Sequence, residues 1–83
     1  MKVLYFAWLR TKIGVAEEEI DLPSNVKTVA DVLDHLRTKG DVYADALSED
    51  KVIRIALNQD YAQLDDPVKA GDEFAIFPPV TGG

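Results

Sequence analysis

Thr28-Val29-Ala30-Asp31-Val32-Leu33-Asp34-His35-Leu36-Arg37-Thr38-Lys39-Gly40 is the stretch that decides the fold. Val29, Val32, Leu33 and Leu36 fall at i, i+3, i+4 and i+7, which places them on one apolar stripe of a helix of about three turns. Thr28 and Asp31 have the spacing of a capping box, in which the Thr28 hydroxyl accepts a free amide of the first turn and Asp31 reaches back. Asp is shorter than the usual Glu, so the box is expected to be imperfect. Lys39 puts a cation at the negative helix end, and Gly40 offers a residue free to turn left-handed, so the helix is expected to stop there.

A helix with one apolar stripe needs a surface to cover, and the flanking segments read as strands. Residues 3–9 are apolar throughout, which suits a strand covered on both faces. Val3, Tyr5, Ala7 and Leu9 are expected to face the helix, leaving Leu4, Phe6 and Trp8 as an outward patch with Phe77 beside it. Residues 10–14 read as a turn. Glu17, Glu19 and Asp21 alternate with Glu18, Ile20 and Leu22, the pattern of a half-buried second strand ended by Pro23.

Beyond the helix, residues 43–47 read as a short helical turn and 48–50 as a loop. In residues 52–57, Ile53, Ile55 and Leu57 share one strand face, and Val52, Arg54 and Ala56 the other. Asn58-Gln59-Asp60 turns into a short strand over 61–64, and polar turns precede a final strand over 73–77. The order is ββαβ(β)β, with a crossover that brings a later strand back parallel to the first. The expected class is α+β: a β-grasp, ubiquitin-like mixed sheet of four to five strands with one main helix on one face. Residues 1–77 form the domain and 78–83 an extended tail.

The chain has 83 residues, enough for one small domain with a modest core. It has no cysteine, which excludes disulfides, thiolate metal sites and a cysteine nucleophile. The formal charge is −6, from fifteen acidic and nine basic residues. Such a balance argues against nucleic acid, whose phosphates call for clustered Lys and Arg, and fits docking onto basic protein surfaces. Residues 1–9 lack a cleavage site and are closed by Arg10 and Lys12, so they read as a strand, not a signal peptide, and a cytoplasmic protein without membrane attachment is expected. His35 lies away from the Val32/Leu36 stripe and is expected to be solvated, because no cysteine or second histidine could complete a metal site with it. Glu17, Glu18 and Glu19 point to alternate faces and cannot converge on a cation; they read as a solvated edge.

What remains is the end of the chain, Phe77-Pro78-Pro79-Val80-Thr81-Gly82-Gly83. Pro78 and Pro79 fix two φ angles and set a direction. Gly82 and Gly83 have no Cβ, so a carboxylate reached through them can be threaded into a narrow pocket. From 78 to 83 the extended reach is roughly 20 Å, enough to enter another protein's active site. A terminal Gly-Gly alone is a weak signal. The aromatic-Pro-Pro spacer before it makes the signal specific.

The run from Gly71 through Phe74, Phe77, Pro78 and Pro79 to Gly83, with Val3-Leu4-Tyr5-Phe6-Ala7 and Ala56-Leu57-Asn58-Gln59-Asp60-Tyr61, resembles the molybdopterin synthase small-subunit (MoaD) family of ubiquitin-like sulfur carriers. Ile76, where an aromatic is common, and Trp8, where a polar residue is usual, depart from the pattern without touching the terminus. The resemblance implies that an adenylating enzyme of the ubiquitin-activating type uses ATP and Mg to activate the Gly83 carboxyl. A sulfurtransferase-type donor then leaves a thiocarboxylate, whose sulfur is delivered to a cyclic pyranopterin monophosphate on the large synthase subunit. The implied assembly is a heterotetramer of two small and two large subunits, with the catalytic pocket on the large one and no cofactor bound by this chain. Gly83 is then the reacting residue, and Phe6, Phe77, Pro78, Pro79, Val80, Thr81 and Gly82 contact partners. A thiamine-pathway carrier is usually shorter and lacks the Pro-Pro-Val-Thr approach. A protein tag joined to lysines by isopeptide bonds, or a plain interaction module, are the readings from other classes.

Overall fold

The computed structural model describes residues 1–79; Val80, Thr81, Gly82 and Gly83 lie outside the described residues. The elements follow in the order β1 (Lys2–Tyr5), α1 (Trp8–Ile13), β2 (Glu17–Glu19), α2 (Val29–Arg37), α3 (Asp41–Ala46), β3 (Arg54–Leu57), β4 (Asp60–Ala62) and β5 (Glu73–Phe77). The five strands form one sheet in the order β2-β1-β5-β3-β4, with β1 and β5 parallel and every other pair antiparallel. This is the β-grasp arrangement expected from the strand and helix order.

Helix α2 forms as its periodicity requires. Val29, Val32, Leu33 and Leu36 are all buried, in one cluster with Val3, Tyr5, Ile55, Phe74 and Ile76 from the inner sheet face. The capping box is complete, contrary to expectation: the Asp31 amide donates to Thr28 Oγ1 at 3.2 Å, and Asp31 Oδ2 accepts from the Thr28 amide at 3.2 Å. The same oxygen also accepts the Lys27 amide at 3.0 Å, so the short side chain satisfies two donors. The helix end differs from the reading of Gly40. Thr38 is the helical cap residue, and Gly40 is extended at φ 160, where it serves as the N-cap of α3.

The expected strand over 3–9 stops at Tyr5. Ala7, at φ 56 and ψ −133, reverses the chain, and the residues read as strand end and turn become α1. Gly14 closes this helix at φ 97, its amide donating to the Arg10 carbonyl at 2.9 Å. Leu9 is buried as expected, but from a helix. A continuous apolar run has no period, so its strand half and its helix half could not be separated from sequence.

The acidic run also divides. Glu17 and Glu19 are exposed, whereas Glu18 turns inward and takes the hydroxyls of Tyr5 at 3.1 Å and Tyr43 at 2.8 Å and the Lys39 ammonium at 2.9 Å. It joins β2, β1, α3 and the segment after α2 at one point. Burial pushes the Glu18 carboxyl upward, but the bonds from Lys39, Tyr43 and Tyr5 outweigh it and hold the carboxyl below its ordinary value. Burial and the same carboxylate push the Tyr43 hydroxyl up to about 12.

Because the folded value of Glu18 is depressed, its contribution is complete above the unfolded value of about 4.3 and is lost as pH falls through the folded one. Glu18→Ala also leaves the buried Tyr5 hydroxyl without its acceptor, which costs about 1–3 kcal/mol. Urea unfolding at pH 7 should therefore show the variant less stable by about 2 kcal/mol, and the gap should narrow at pH 3. An equal gap at both pH values would mean that the charge of Glu18 contributes nothing.

Candidate functional site

The outward sheet face is the candidate site, and strand register builds it. Leu4 stands opposite Ala75, Ala75 opposite Ala56, and Ala56 opposite Tyr61, so one row crosses β1, β5, β3 and β4. The two alanines make its centre low. Larger side chains stand around them: Leu4 and Phe6 on one side and Phe77 on the other, with the Tyr61 ring, outside the lining itself, 5.9 Å from that of Phe77. Phe6 is 47% exposed and Tyr61 80%, far more than aromatic side chains inside a core. Val15, Val42, Val52 and Leu64 are also exposed, but they do not line this depression.

Phe6 reaches this face because β1 pairs with β5 to its last residue, Tyr5 opposite Ile76, and the Phe6 amide then donates to the Ile76 carbonyl at 3.1 Å. Parallel pairing brings the two strands to the same end of the sheet. Phe6 and Phe77 therefore line one depression, and Pro78 and Pro79, the first residues beyond β5, line it too. Strand β5 lies between β1 and β3, so the chain leaves from the middle of the sheet, through the apolar patch.

Of the residues read from the sequence as contacts, Phe6, Phe77, Pro78 and Pro79 are brought together here. Val80, Thr81, Gly82 and Gly83 lie outside the described residues. Leu4 and Phe6 face outward as expected. Trp8 does not line the patch, because the reversal at Ala7 moves it onto α1, and Ala7 itself lines the patch instead of facing α2. The sequence reading missed Gln59 and Tyr61, which lie at the β3–β4 turn and on β4. Alternation along 52–57 puts Ala56 on the correct strand face; only the register shows that it meets Ala75 and Tyr61.

The β3–β4 turn is held from below. Asn58 donates from Nδ2 to Asp72 Oδ1 at 3.0 Å and accepts the Glu73 amide at 3.0 Å. Asp72 is 3% exposed; burial pushes its carboxyl up, and bonds from Lys69 and Asn58 more than compensate, leaving it below the usual range. Charge at the patch itself is confined to Glu73. Among the described residues no group of His, Cys, Asp and Glu could hold a metal ion, and no helix is long and apolar enough to cross a membrane. His35 is half-buried on α2, more covered than expected.

The outward patch thus surrounds the last described residues of the chain, Phe77, Pro78 and Pro79. Residues 3–83 match the ThiS family model. The molybdopterin synthase sulfur carrier subunit of Haemophilus influenzae is 46% identical over 83 residues, covering 100% of this chain and 99% of that one. Among solved structures, a putative molybdopterin converting factor subunit 1 from Pyrococcus furiosus superposes with a TM-score of 0.76 at 32% identity, over 95% of each chain. SAMP1 from Haloferax volcanii gives 0.75 at 31% identity, over 99% of this chain and 97% of that one. A chain from the complex of molybdopterin-converting factor subunits 1 and 2 of Helicobacter pylori gives 0.64 at 26% identity, over 99% and 96%. On the full-length match and the shared fold, the chain belongs to the ThiS family, among the molybdopterin synthase sulfur carrier subunits.

Proposed function

We propose that this chain carries sulfur as a thiocarboxylate on Gly83, and that the outward patch docks the proteins that load and use it. The carrying observation is that Phe6, Phe77, Pro78 and Pro79 line one depression, so the tail begins inside an exposed apolar surface. A partner that covers the patch takes the tail root at a fixed point, and the four residues from Val80 to Gly83 span roughly 13 Å from there at full extension. Docking thus fixes where the carboxyl can go.

A carboxylate is ionised at neutral pH and is a poor electrophile. The Gly83 oxygen attacks the α-phosphorus of ATP, held with Mg on a ubiquitin-activating-type enzyme, and pyrophosphate leaves. Sulfur supplied by a sulfurtransferase then displaces AMP from the acyl-adenylate, giving the thiocarboxylate. On the large subunit of molybdopterin synthase that sulfur attacks the cyclic pyranopterin monophosphate, and hydrolysis of the acyl link returns Gly83 as carboxylate. Two such deliveries build the dithiolene. The large subunit supplies the pocket, acids and bases, in an assembly of two small and two large subunits. Its pairing with a chain of this fold is supported by the complex of subunits 1 and 2 from Helicobacter pylori. The chain itself binds no cofactor and works in the cytoplasm.

The likeness to SAMP1, small archaeal modifier protein 1 of Haloferax volcanii, favours one second reading, a tag whose activated Gly83 is taken by a lysine amine. Activation is the same in both readings. The fate of the acyl group separates them. Thiocarboxylated protein mixed with the large subunit and the pterin precursor should yield product in stoichiometric amount without ATP, and intact mass spectrometry should find the carrier returned as carboxylate. Branched conjugates that require ATP, with no pterin product, would establish the tag instead.

The buried residues end at Ile76 among those described, so removing Gly82 and Gly83 should shift the midpoint of thermal unfolding by less than about 2 °C while abolishing pterin conversion. A large loss of stability would make the tail a structural element. Phe6→Asp should leave the monomer's stability within about 1 kcal/mol, because Phe6 is 47% exposed, yet weaken binding to the large subunit at least tenfold through the burial of an unpaired charge. Calorimetric titration showing unchanged affinity would place the docking surface elsewhere.

A further inference from the structure

Among the described residues only three other than glycine have positive φ: Ala7 at 56°, Asn58 at 52° and Gln59 at 73°. That backbone region is unfavourable for a residue with a Cβ and natural for glycine. Asn58 explains itself, since Asn tolerates the conformation and its side chain bonds both Asp72 and the Glu73 amide. Among the described residues, no side-chain hydrogen bond accounts for a residue other than glycine at the other two.

Ala7 is exposed, so its methyl fills no core space. It is also the N-cap of α1, where it makes no side-chain cap bond, while Ser, Asp, Asn or Gly would suit that position better. It is therefore disfavoured twice over, by its backbone conformation and by its place at a helix start. Gln59 is the second central residue of the tight turn joining β3 to β4, where Asn-Gly is the preferred pair and Asn58 supplies only its first half. Gln59 is exposed, and among the described residues its side chain enters no hydrogen bond. Both residues line the same depression as Phe6 and Phe77.

We infer that Ala7 and Gln59 are contact residues of the docking surface, kept as side chains at two positions where the isolated fold would be more stable with glycine. This rests on the docking role proposed for the patch and extends it beyond the aromatic residues. The Ala7 methyl lies beside Phe6, and a small apolar group is what that point can offer without carrying a polar atom into a desolvated contact. Gln59 stands at the β3–β4 turn, where its amide can donate and accept at the polar rim of the interface. The partner surface that fits is apolar opposite Phe6 and Phe77, with a backbone or amide group within hydrogen-bond reach of Gln59. Strain of this kind persists at binding sites because the surrounding structure holds it in place.

The test compares Ala7→Gly, Gln59→Gly and the double variant with wild type in two measurements, thermal unfolding of the free protein and titration with the large synthase subunit of the same organism. Relief of the positive φ should outweigh the added freedom of glycine in the unfolded chain, so each single variant is expected to melt about 2–6 °C higher. Each should also bind the large subunit about fivefold or more weakly, and the double variant more weakly still. Higher melting with unchanged affinity would overturn the inference, and so would lower melting, since the positions would then not be ones at which the fold prefers glycine. Phe6→Asp measured alongside keeps the two ideas apart. If Phe6→Asp also binds as wild type, the docking reading itself is wrong; if only Phe6→Asp loses affinity, the contact role of Ala7 and Gln59 alone is wrong.

Discussion

The pairing of β1 with β5 is the interaction on which the rest of this structure depends. It joins the two ends of the chain in parallel, Lys2 opposite Glu73 through to Tyr5 opposite Ile76, at the middle of the sheet. Parallel neighbours cannot be linked by a tight turn, so everything between them must serve as crossover, and α2 lies in that crossover. One consequence is mechanical. The last residues emerge beside the end of the first strand, so the tail is rooted in a strand bonded on both edges.

The two sheet faces have different tasks because strand side chains alternate. Inward, Val3, Tyr5, Phe74, Ile76 and Ile55 meet the α2 stripe and supply the burial that holds the fold. Outward, the same strands show Leu4, Ala75, Ala56 and Phe77, which meet no other part of the chain's core cluster. A domain of this size has little apolar area to spare, so leaving Phe6 at 47% and Tyr61 at 80% exposure is informative. Net charge adds selectivity. With −6 overall and only Glu73 on the patch, the charge is suited to attracting a basic partner and the apolar patch to the docking proposed for it.

Polar side chains hold the places where the sheet alone would be loose. Glu18 draws together Tyr5, Tyr43 and Lys39 at one edge, and Asp72 with Asn58 fixes the turn beside the patch at the other. In both, a mostly buried carboxylate stays charged because its donors outweigh the cost of burial.

The sequence by itself determined helix α2, its N-cap, the last strand and the strand order around them. These are local matters of period, capping and backbone stiffness, which the residues carry wherever they lie. It determined the faces of Leu4 and Phe6 as well, through simple alternation. Only the tertiary structure decided that the apolar run breaks at Ala7 into strand and helix, since an unbroken run has no period to show the change. Alternation already put Glu18 on the side of Ile20 and Leu22; only the tertiary structure decided that it is bonded there and not solvated, because the Tyr43 and Lys39 that bond it lie more than 20 residues away. The same holds for the patch. That Gln59 joins Phe6 and Phe77, and that Tyr61 meets the Phe77 ring, follows from strand register, a relation between distant segments that no single stretch of the chain contains.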